Sequence, residues 1–147
     1  MSHRQIQSVE ISCFVHSTED EAKIESSVKA LLGVDSGPEV EVMEGHFGNK
    51  ILHLDWHLTG DDAWTAFSNV ARGLGEQGRL SLLQQLPGLT DEHGALYLRL
   101  KKQSVVAGAP VFSSSDPLRV RVKPRGHLIH GDVQKFYRKF LGEVGSA

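Results

Sequence analysis

The chain has 147 residues, of which 39% are hydrophobic, so it is long enough for one domain with its own buried core. No apolar run approaches the roughly 20 residues that cross a bilayer, the first residues lack a signal-peptide pattern, and the lone Cys13 excludes an internal disulfide. The net charge of -2 conceals a division, because residues 1–95 carry 6 Lys and Arg against 15 Asp and Glu, and residues 96–147 carry 10 against 3. We therefore expect one cytoplasmic domain over residues 1–147, with no membrane contact and an anionic partner on its C-terminal half.

The chain opens with a predicted strand and helix. Residues 6–16 alternate between apolar and polar side chains, which predicts a strand because successive side chains point to opposite faces. Phe14 and His16 fall on the polar face, whereas Cys13 falls among the aliphatic residues as a small buried side chain. Residues 18–21 (TEDE) match a capping box with Thr18 as the N-cap, and Gly33 ends the helix that follows.

A hairpin and two helices come next. Residues 40–58 form two strands around the turn of residues 44–49, and the second strand turns its leucines and Trp56 to the core. Asp61 or Asp62 caps a helix that extends to Arg72. A shorter helix covers residues 76–86, with Leu80, Leu83 and Leu86 as its apolar stripe and Pro87 as its end.

The C-terminal half contains two strands that alternate leucine or valine with charge. They cover residues 96–101 (LYLRLK) and 118–123 (LRVRVK), with a turn-forming link at residues 113–117 between them. A final helix begins at Asp132 and has an apolar side that includes Phe136, Tyr137 and Phe140.

Clustered strands that alternate along their length indicate an α+β fold. We expect a mainly antiparallel or mixed sheet, helices packed on one of its faces, and an open and basic second face. The residues predicted on that open face are Phe14, His16, Tyr97, Arg99, Lys101, Arg119, Arg121 and Lys123.

An open sheet face with cations and aromatic side chains suits RNA, because Lys and Arg neutralise phosphates and aromatic rings stack on unpaired bases. Tyr97 and Phe14 are the predicted stacking residues. The candidate RNA-binding residues are Phe14, His16, Tyr97, Arg99, Lys101, Lys102, Arg119, Arg121 and Lys123. Lys and Arg on an open sheet also keep a protein soluble, and this second interpretation stays open for the same surface.

Catalytic and metal chemistry find little support in the sequence. The motifs of phosphate-binding loops, zinc proteases, serine hydrolases and thiol oxidoreductases are absent. His53, Asp55 and His57 share one strand face, but neighbouring members are about 6 to 7 Å apart, which is long for sharing one zinc ion and favours polar residues on a solvated face. We predict no catalytic residue, no metal and no cofactor.

Four stretches resemble a family of small archaeal proteins described as predicted exosome subunits or RNA-binding proteins. They are residues 9–20 (VEISCFVHSTED), 44–49 (EGHFGN), 98–103 (LRLKKQ) and 119–123 (RVRVK), and together they extend over nearly the full chain in the family's order. The resemblance implies a fold like that of the ribosomal large-subunit protein that holds 5S RNA. It also implies RNA binding, as an accessory of RNA processing, of the exosome or of ribosome assembly.

Two other functions remain open at this point. The open sheet face or a sheet edge could dock on another protein, which would make the chain an assembly subunit. A small metal-dependent or hydrolytic enzyme could use the polar turn of residues 44–49 and nearby histidines.

Overall fold

Five strands and five helices make up the computed structural model, which describes residues 5–125 and 131–146. The strands are β1 (Ile6–Val15), β2 (Glu39–Glu44), β3 (Lys50–Thr59), β4 (Leu96–Leu100) and β5 (Leu118–Pro124). The helices are α1 (Glu21–Leu32), α2 (Gly60–Gly73), α3 (Gly75–Leu89), α4 (Lys102–Val106) and α5 (Gly131–Ser146). The strands form one antiparallel sheet in the order β2-β3-β1-β5-β4, which confirms the predicted α+β class.

The core lies between one face of the sheet and the helices. Every second residue of β3 from Leu52, of β4, of β5 and of β1 from Val9 onward is buried, as the alternation predicts, whereas Ser8 is also buried at a register shift near the start of β1. Phe67 of α2 stacks on Phe140 of α5 with ring centroids 4.4 Å apart, and the Tyr137 hydroxyl donates to the Gly94 carbonyl at 2.9 Å. Cys13 is buried in this core as predicted. The helices thus cover one face of the sheet and leave the other face to solvent.

The start of α1 lies two residues beyond the prediction. Asp20, not Thr18, is the N-cap, and its carboxylate accepts the Lys23 N–H at 3.2 Å. Glu19 instead accepts the N–H of His16 at 2.9 Å, which holds residues 16–19 in a turn before the helix begins. Gly33 ends the helix in the left-handed conformation (φ 69°), as predicted.

Both central helices also differ from their predicted bounds. α2 begins at Gly60, with Thr59 as an N-cap that makes no side-chain cap bond, and Asp61 and Asp62 lie in its first turn. α3 continues past Pro87 to Leu89, because Pro87 sits in the last turn, where losing one backbone bond does not end the helix. Its buried leucines are Leu82 and Leu86, whereas Leu80 is 47% exposed.

The connection from β4 to β5 contains a short helix that the sequence pattern did not predict. α4 begins immediately after Lys101, which is its N-cap, and buries Lys102 and Val105. The predicted hairpin of β2 and β3 is present, and its turn is closed by the Gly45 N–H donating to the Asn49 carbonyl at 2.6 Å. The predicted helix after β5 is confirmed as α5.

Candidate nucleic-acid interface

The register of β4 and β5 brings the predicted basic side chains together on the open face. Tyr97 lies opposite Arg121, and Arg99 lies opposite Arg119, so these four side chains share one face of two neighbouring strands. Alternation along β5 puts Lys123 on the same face, and Lys101, the extended residue directly after β4, is exposed next to it. We call this surface the basic platform and define it by Tyr97, Arg99, Lys101, Arg119, Arg121 and Lys123.

Arg99 and Arg119 form a directly opposed pair of like charges at the centre of the basic platform. Both side chains are exposed, and within residues 5–125 and 131–146 neither forms an ion pair. Like charges directly opposite one another destabilise an antiparallel sheet. An anion between the two guanidinium groups would relieve that repulsion.

Tyr97 and Arg121 are held in place by their neighbours. The Tyr97 hydroxyl donates to Asp91 Oδ2 at 2.9 Å, and the Arg121 guanidinium carbon lies 5.8 Å from the centroid of the Tyr97 ring. Arg121 Nη1 also donates to Glu10 Oε1 at 3.4 Å, next to His57. The Tyr97 ring is therefore preorganised, and part of the charge of Arg121 is neutralised by Glu10.

The Asp91 carboxylate holds the Tyr97 hydroxyl in this arrangement. Burial raises the pKa of the Asp91 carboxyl, but hydrogen bonds from the Ala95 N–H, the Tyr97 hydroxyl and the His93 N–H outweigh burial and hold the pKa below its ordinary value of 3.8. Asp91 therefore stays ionised and keeps accepting the Tyr97 hydroxyl bond at neutral pH.

Lys102 lies away from the basic platform, in an ion-pair cluster that we define by His16, Glu19, Lys102 and Asp116. Its ammonium donates to the Phe14 carbonyl at 2.7 Å and forms ion pairs with Glu19 at 2.9 Å and Asp116 at 2.8 Å. The side chain is only 6% exposed. The prediction that Lys102 contacts RNA does not fit this position, because the Lys102 charge is already paired with Glu19 and Asp116 inside the protein.

His16 belongs to the same ion-pair cluster, since its Nε2 lies 3.0 Å from Asp116 Oδ2. Ligand atoms of His16, Glu19 and Asp116 lie within 4.8 Å of one another, a spacing that a metal ion could use. The Lys102 ammonium, however, already bridges the two carboxylates. Burial lowers the pKa of Lys102, but hydrogen bonds to Asp116 and Glu19 outweigh it and raise the pKa above 10.5, so the bridging cation stays charged.

Phe14 sits on the open face but at a different point. It packs on His53 of β3, with ring centroids 5.0 Å apart. Tyr97 of β4 pairs with Arg121 of β5, which in turn pairs with Glu10 of β1. Phe14 lies four residues further along β1 than Glu10, so Phe14 and Tyr97 are separated by two strand spacings and four residues, or about 16 Å. Phe14 and Tyr97 therefore do not form one stacking surface.

The opposite end of the open face is acidic. Glu39 and Glu41 of β2 lie in register with Asp55 and His53 of β3. The strand order puts β2 at one edge and β4 at the other, so negative and positive charge are separated across the sheet. A polyanion is accordingly directed to the β4 and β5 half.

The fold and the basic platform define a class of protein: an α+β domain whose sheet is covered on one side and offers a cationic surface suited to nucleic acid on the other. A family model described as RNA binding matches residues 8–124, and the chain belongs to this family. No helix among the described residues is long and apolar enough to cross a membrane.

One sequence relative and two solved structures are similar to the chain over most of its length. The chain is 32% identical over 145 residues to the RNA-binding protein PAB1135 of Pyrococcus abyssi, covering 93% of this chain and 94% of that protein. Protein AF2318 of Archaeglobus fulgidus has a similar structure, with a TM-score of 0.73, 29% identity and coverage of 92% of this chain and 99% of that one. Protein SSO0741 of Sulfolobus solfataricus, at 23% identity, shares the fold with a TM-score of 0.77 and coverage of 92% and 98%.

Proposed function

We propose that this protein is a non-enzymatic, cytoplasmic RNA-binding protein that holds RNA on the basic platform. Its family and its relative named for RNA binding support this function. We further propose that it serves as an accessory of RNA processing, of the exosome or of ribosome assembly. The resemblance of its sequence motifs motivates this finer role and the suggested likeness to the ribosomal 5S-RNA-binding protein.

The observation that carries the proposal is the opposed pair of Arg99 and Arg119. Two exposed guanidinium groups in direct register, without a carboxylate partner in the described part of the chain, cost stability unless an anion joins them. A phosphate fits this need because guanidinium groups bind phosphate in a bidentate manner. Lys101 and Lys123 extend the cationic surface to both sides.

In this proposal an unpaired base of the RNA stacks on the ring of Tyr97. This ring is 41% exposed and is fixed by Asp91 and Arg121, so stacking a base on it costs little additional side-chain entropy. Phe14 lies too far away to share that base, and we propose it as a separate contact for a longer RNA.

The test is RNA binding by fluorescence anisotropy across a salt series from about 50 to about 200 mM. The double variant Arg99→Gln with Arg119→Gln removes two charges and retains side-chain length. It should weaken binding of single-stranded RNA and lower the magnitude of the slope of log K against log salt by about 0.7, since the two arginines share one phosphate and each phosphate contact contributes about 0.7.

The matched control is Arg138→Gln with Lys139→Gln, which removes the same charge from exposed positions of α5. Its salt slope should equal that of the unmodified protein. Equal slopes for both double variants, with both folded, would remove the basic platform from the RNA site.

A second function, contact with another protein, is favoured by the hairpin of β2 and β3. Val40 is 48% exposed, Val42 is 63% exposed and Phe47 at the turn is 90% exposed. Val40 and Val42 lie on the helix side of this edge strand together with Glu44, while Glu39 and Glu41 lie on its open face, so the hairpin repels RNA and suits a protein with a basic, apolar surface.

The hairpin contact can be tested apart from RNA binding. Val42→Ser with Phe47→Ser should abolish recovery of a stoichiometric protein partner that resists nuclease, while RNA affinity stays the same. Recovery of the same partner by this variant would exclude the hairpin as its binding surface.

A further inference from the structure

A cleft of about 680 Å³ lies along the outer edge of β4, beside the basic platform. Its size is within the usual range for sites that hold a small organic group. Tyr97 and Arg99 line it on the sheet side, the end of α3 lines it at Gln85 and Gly88, and residues 112–114 line it opposite.

The cleft exists because, within residues 5–125 and 131–146, the outer edge of β4 is paired at its two ends and not between them. At one end Thr90 bridges to Leu96, and at the other Phe112 bridges to Leu100. There the Ser113 N–H donates to the Arg99 carbonyl at 3.0 Å, so the backbone polar groups of Arg99 point away from β5. Alternation along the strand turns the Arg99 N–H and the Tyr97 carbonyl toward the cleft, where neither pairs with a backbone group of the described part of the chain.

The walls combine flat apolar surface with groups that hydrogen-bond. Leu89 and Phe112, which are only partly buried, supply the apolar surface. The Gln85 side-chain amide nitrogen donates to Ser81, so the Gln85 side-chain carbonyl oxygen can accept a hydrogen bond from a ligand. Ser113 Oγ accepts the Ser115 N–H at 3.2 Å, so the Ser113 hydroxyl hydrogen can be donated to a ligand. A slot of this kind matches a planar group with donors and acceptors on its edge.

We infer that this cleft binds one unpaired nucleobase of an RNA strand whose phosphates lie on Arg99 and Arg119. The inference rests on the proposed function and deepens it, because it makes the ligand single-stranded RNA. A base in a duplex is stacked and paired and cannot enter the cleft. The strand edge of Tyr97 and Arg99 would bond to the edge of the base, and the Tyr97 ring would border it.

The test fills the cleft without changing any charge. A Cβ added at Gly88 meets nothing within 4 Å, so Gly88→Trp adds an indole at the cleft wall, and Gly88→Ala is its small control. Ser114→Trp blocks the cleft from the opposite wall. Gly142→Trp, at a glycine of α5 whose added Cβ likewise meets nothing within 4 Å, controls for adding an indole to a helix.

Binding is measured with a short fluorescein-labelled single-stranded RNA and with a duplex of the same sequence. Gly88→Trp and Ser114→Trp should each weaken single-strand binding about 5- to 100-fold, the loss of one stacked base, with an unchanged salt slope. Gly88→Ala and Gly142→Trp should bind like the unmodified protein, and duplex binding should not respond to any of these variants.

The outcomes separate the two proposals. If the unmodified protein binds no RNA, the proposed function fails and the cleft inference fails with it. If it binds RNA with a steep salt slope but both cleft-filling variants retain full single-strand affinity, only the nucleobase cleft is overturned. Thermal unfolding followed by circular dichroism establishes that each variant is folded. If one of the two cleft-filling tryptophan variants does not fold, the other alone decides the test.

Discussion

Two adjacent lysines occupy opposite environments. Lys101 is exposed on the basic platform, whereas Lys102 is buried among Phe14, Glu19 and Asp116. The strand ends at Leu100 and α4 begins after Lys101, so the backbone turns and Lys102 points back into the protein. A run of two lysines in a sequence does not reveal this difference, because it depends on residues more than eighty positions away.

The buried lysine should matter for stability and its neighbour should not. Lys102→Met leaves two carboxylates and a carbonyl without their cation, and we expect it to lower the free energy of unfolding by about 1 to 3 kcal/mol. The value is below that of a fully buried pair because Asp116 is 42% exposed. Lys101→Met should change it by less than about 0.5 kcal/mol. Urea unfolding of both variants tests this, and equal effects would contradict it.

Asp116 makes the stability depend on pH. Burial raises the pKa of its carboxyl, but the hydrogen bond and charge of Lys102 and the bond to His16 outweigh burial and lower the pKa below 3.8. A lowered pKa in the folded state stabilises the protein above pH 3.8, and this contribution is lost as the pH falls through the folded-state value.

Comparison with Asp116→Asn isolates this contribution. Asparagine suits the positive φ of 44° at this position and cannot ionise. The difference in unfolding free energy between the two proteins should be largest at neutral pH and shrink below pH 3.8. Urea midpoints measured at a series of pH values would reveal it, and a constant difference down to the lowest pH would show that Asp116 is not the titrating group.

At the scale of the elements, the strands were predicted well and the helix ends less well. Strand positions follow from alternation, which involves only neighbouring residues. The start of α1 was predicted two residues too early, because Thr18, Glu19 and Asp20 are all residues that occur near helix N-termini. Which of them is the N-cap depends on the tertiary contacts of Glu19, whose carboxylate accepts hydrogen bonds from Lys102 and from the His16 N–H. Similarly, Pro87 does not end α3, because it lies in the last turn of the helix.

The corrected start of α1 can be tested by two matched substitutions. Asp20→Ala removes the carboxylate that accepts the Lys23 N–H and should lower the free energy of unfolding by about 0.5 to 2 kcal/mol. Thr18→Ala, two residues earlier, should have an effect below about 0.5 kcal/mol. Chemical unfolding of both variants gives the comparison, and a larger loss from Thr18→Ala would restore Thr18 as the cap.

For the whole molecule, the strand order converts a charge imbalance along the sequence into one across a surface. Glu39, Asp55, Ser12 and Arg119 lie in register on four neighbouring strands. Glu39 and Arg119 are therefore three strand spacings, or about 14 Å, apart. This distance exceeds the screening length of about 8 Å at physiological salt but lies within the roughly 30 Å at 0.01 M. The acidic edge therefore opposes RNA binding only at low salt.

Neutralising the acidic edge should reveal this long-range effect. Glu39→Gln with Glu41→Gln should raise RNA affinity about 2- to 5-fold at about 0.01 M salt and have almost no effect at about 0.15 M. Anisotropy titrations at the two salt concentrations test the prediction. An equal gain at both would mean that β2 touches the RNA directly.

The sequence by itself determined the α+β class, the strands and which of their side chains face outward, and the basic C-terminal half, because periodicity and composition depend on residues close along the chain. The strand order, the register of Arg99 with Arg119, the burial of Lys102 and the cleft beside β4 were decided only by the tertiary structure. These features arise where distant segments pack together, and the energy of each contact depends on both partners at once. A pattern within either segment alone carries no information about it.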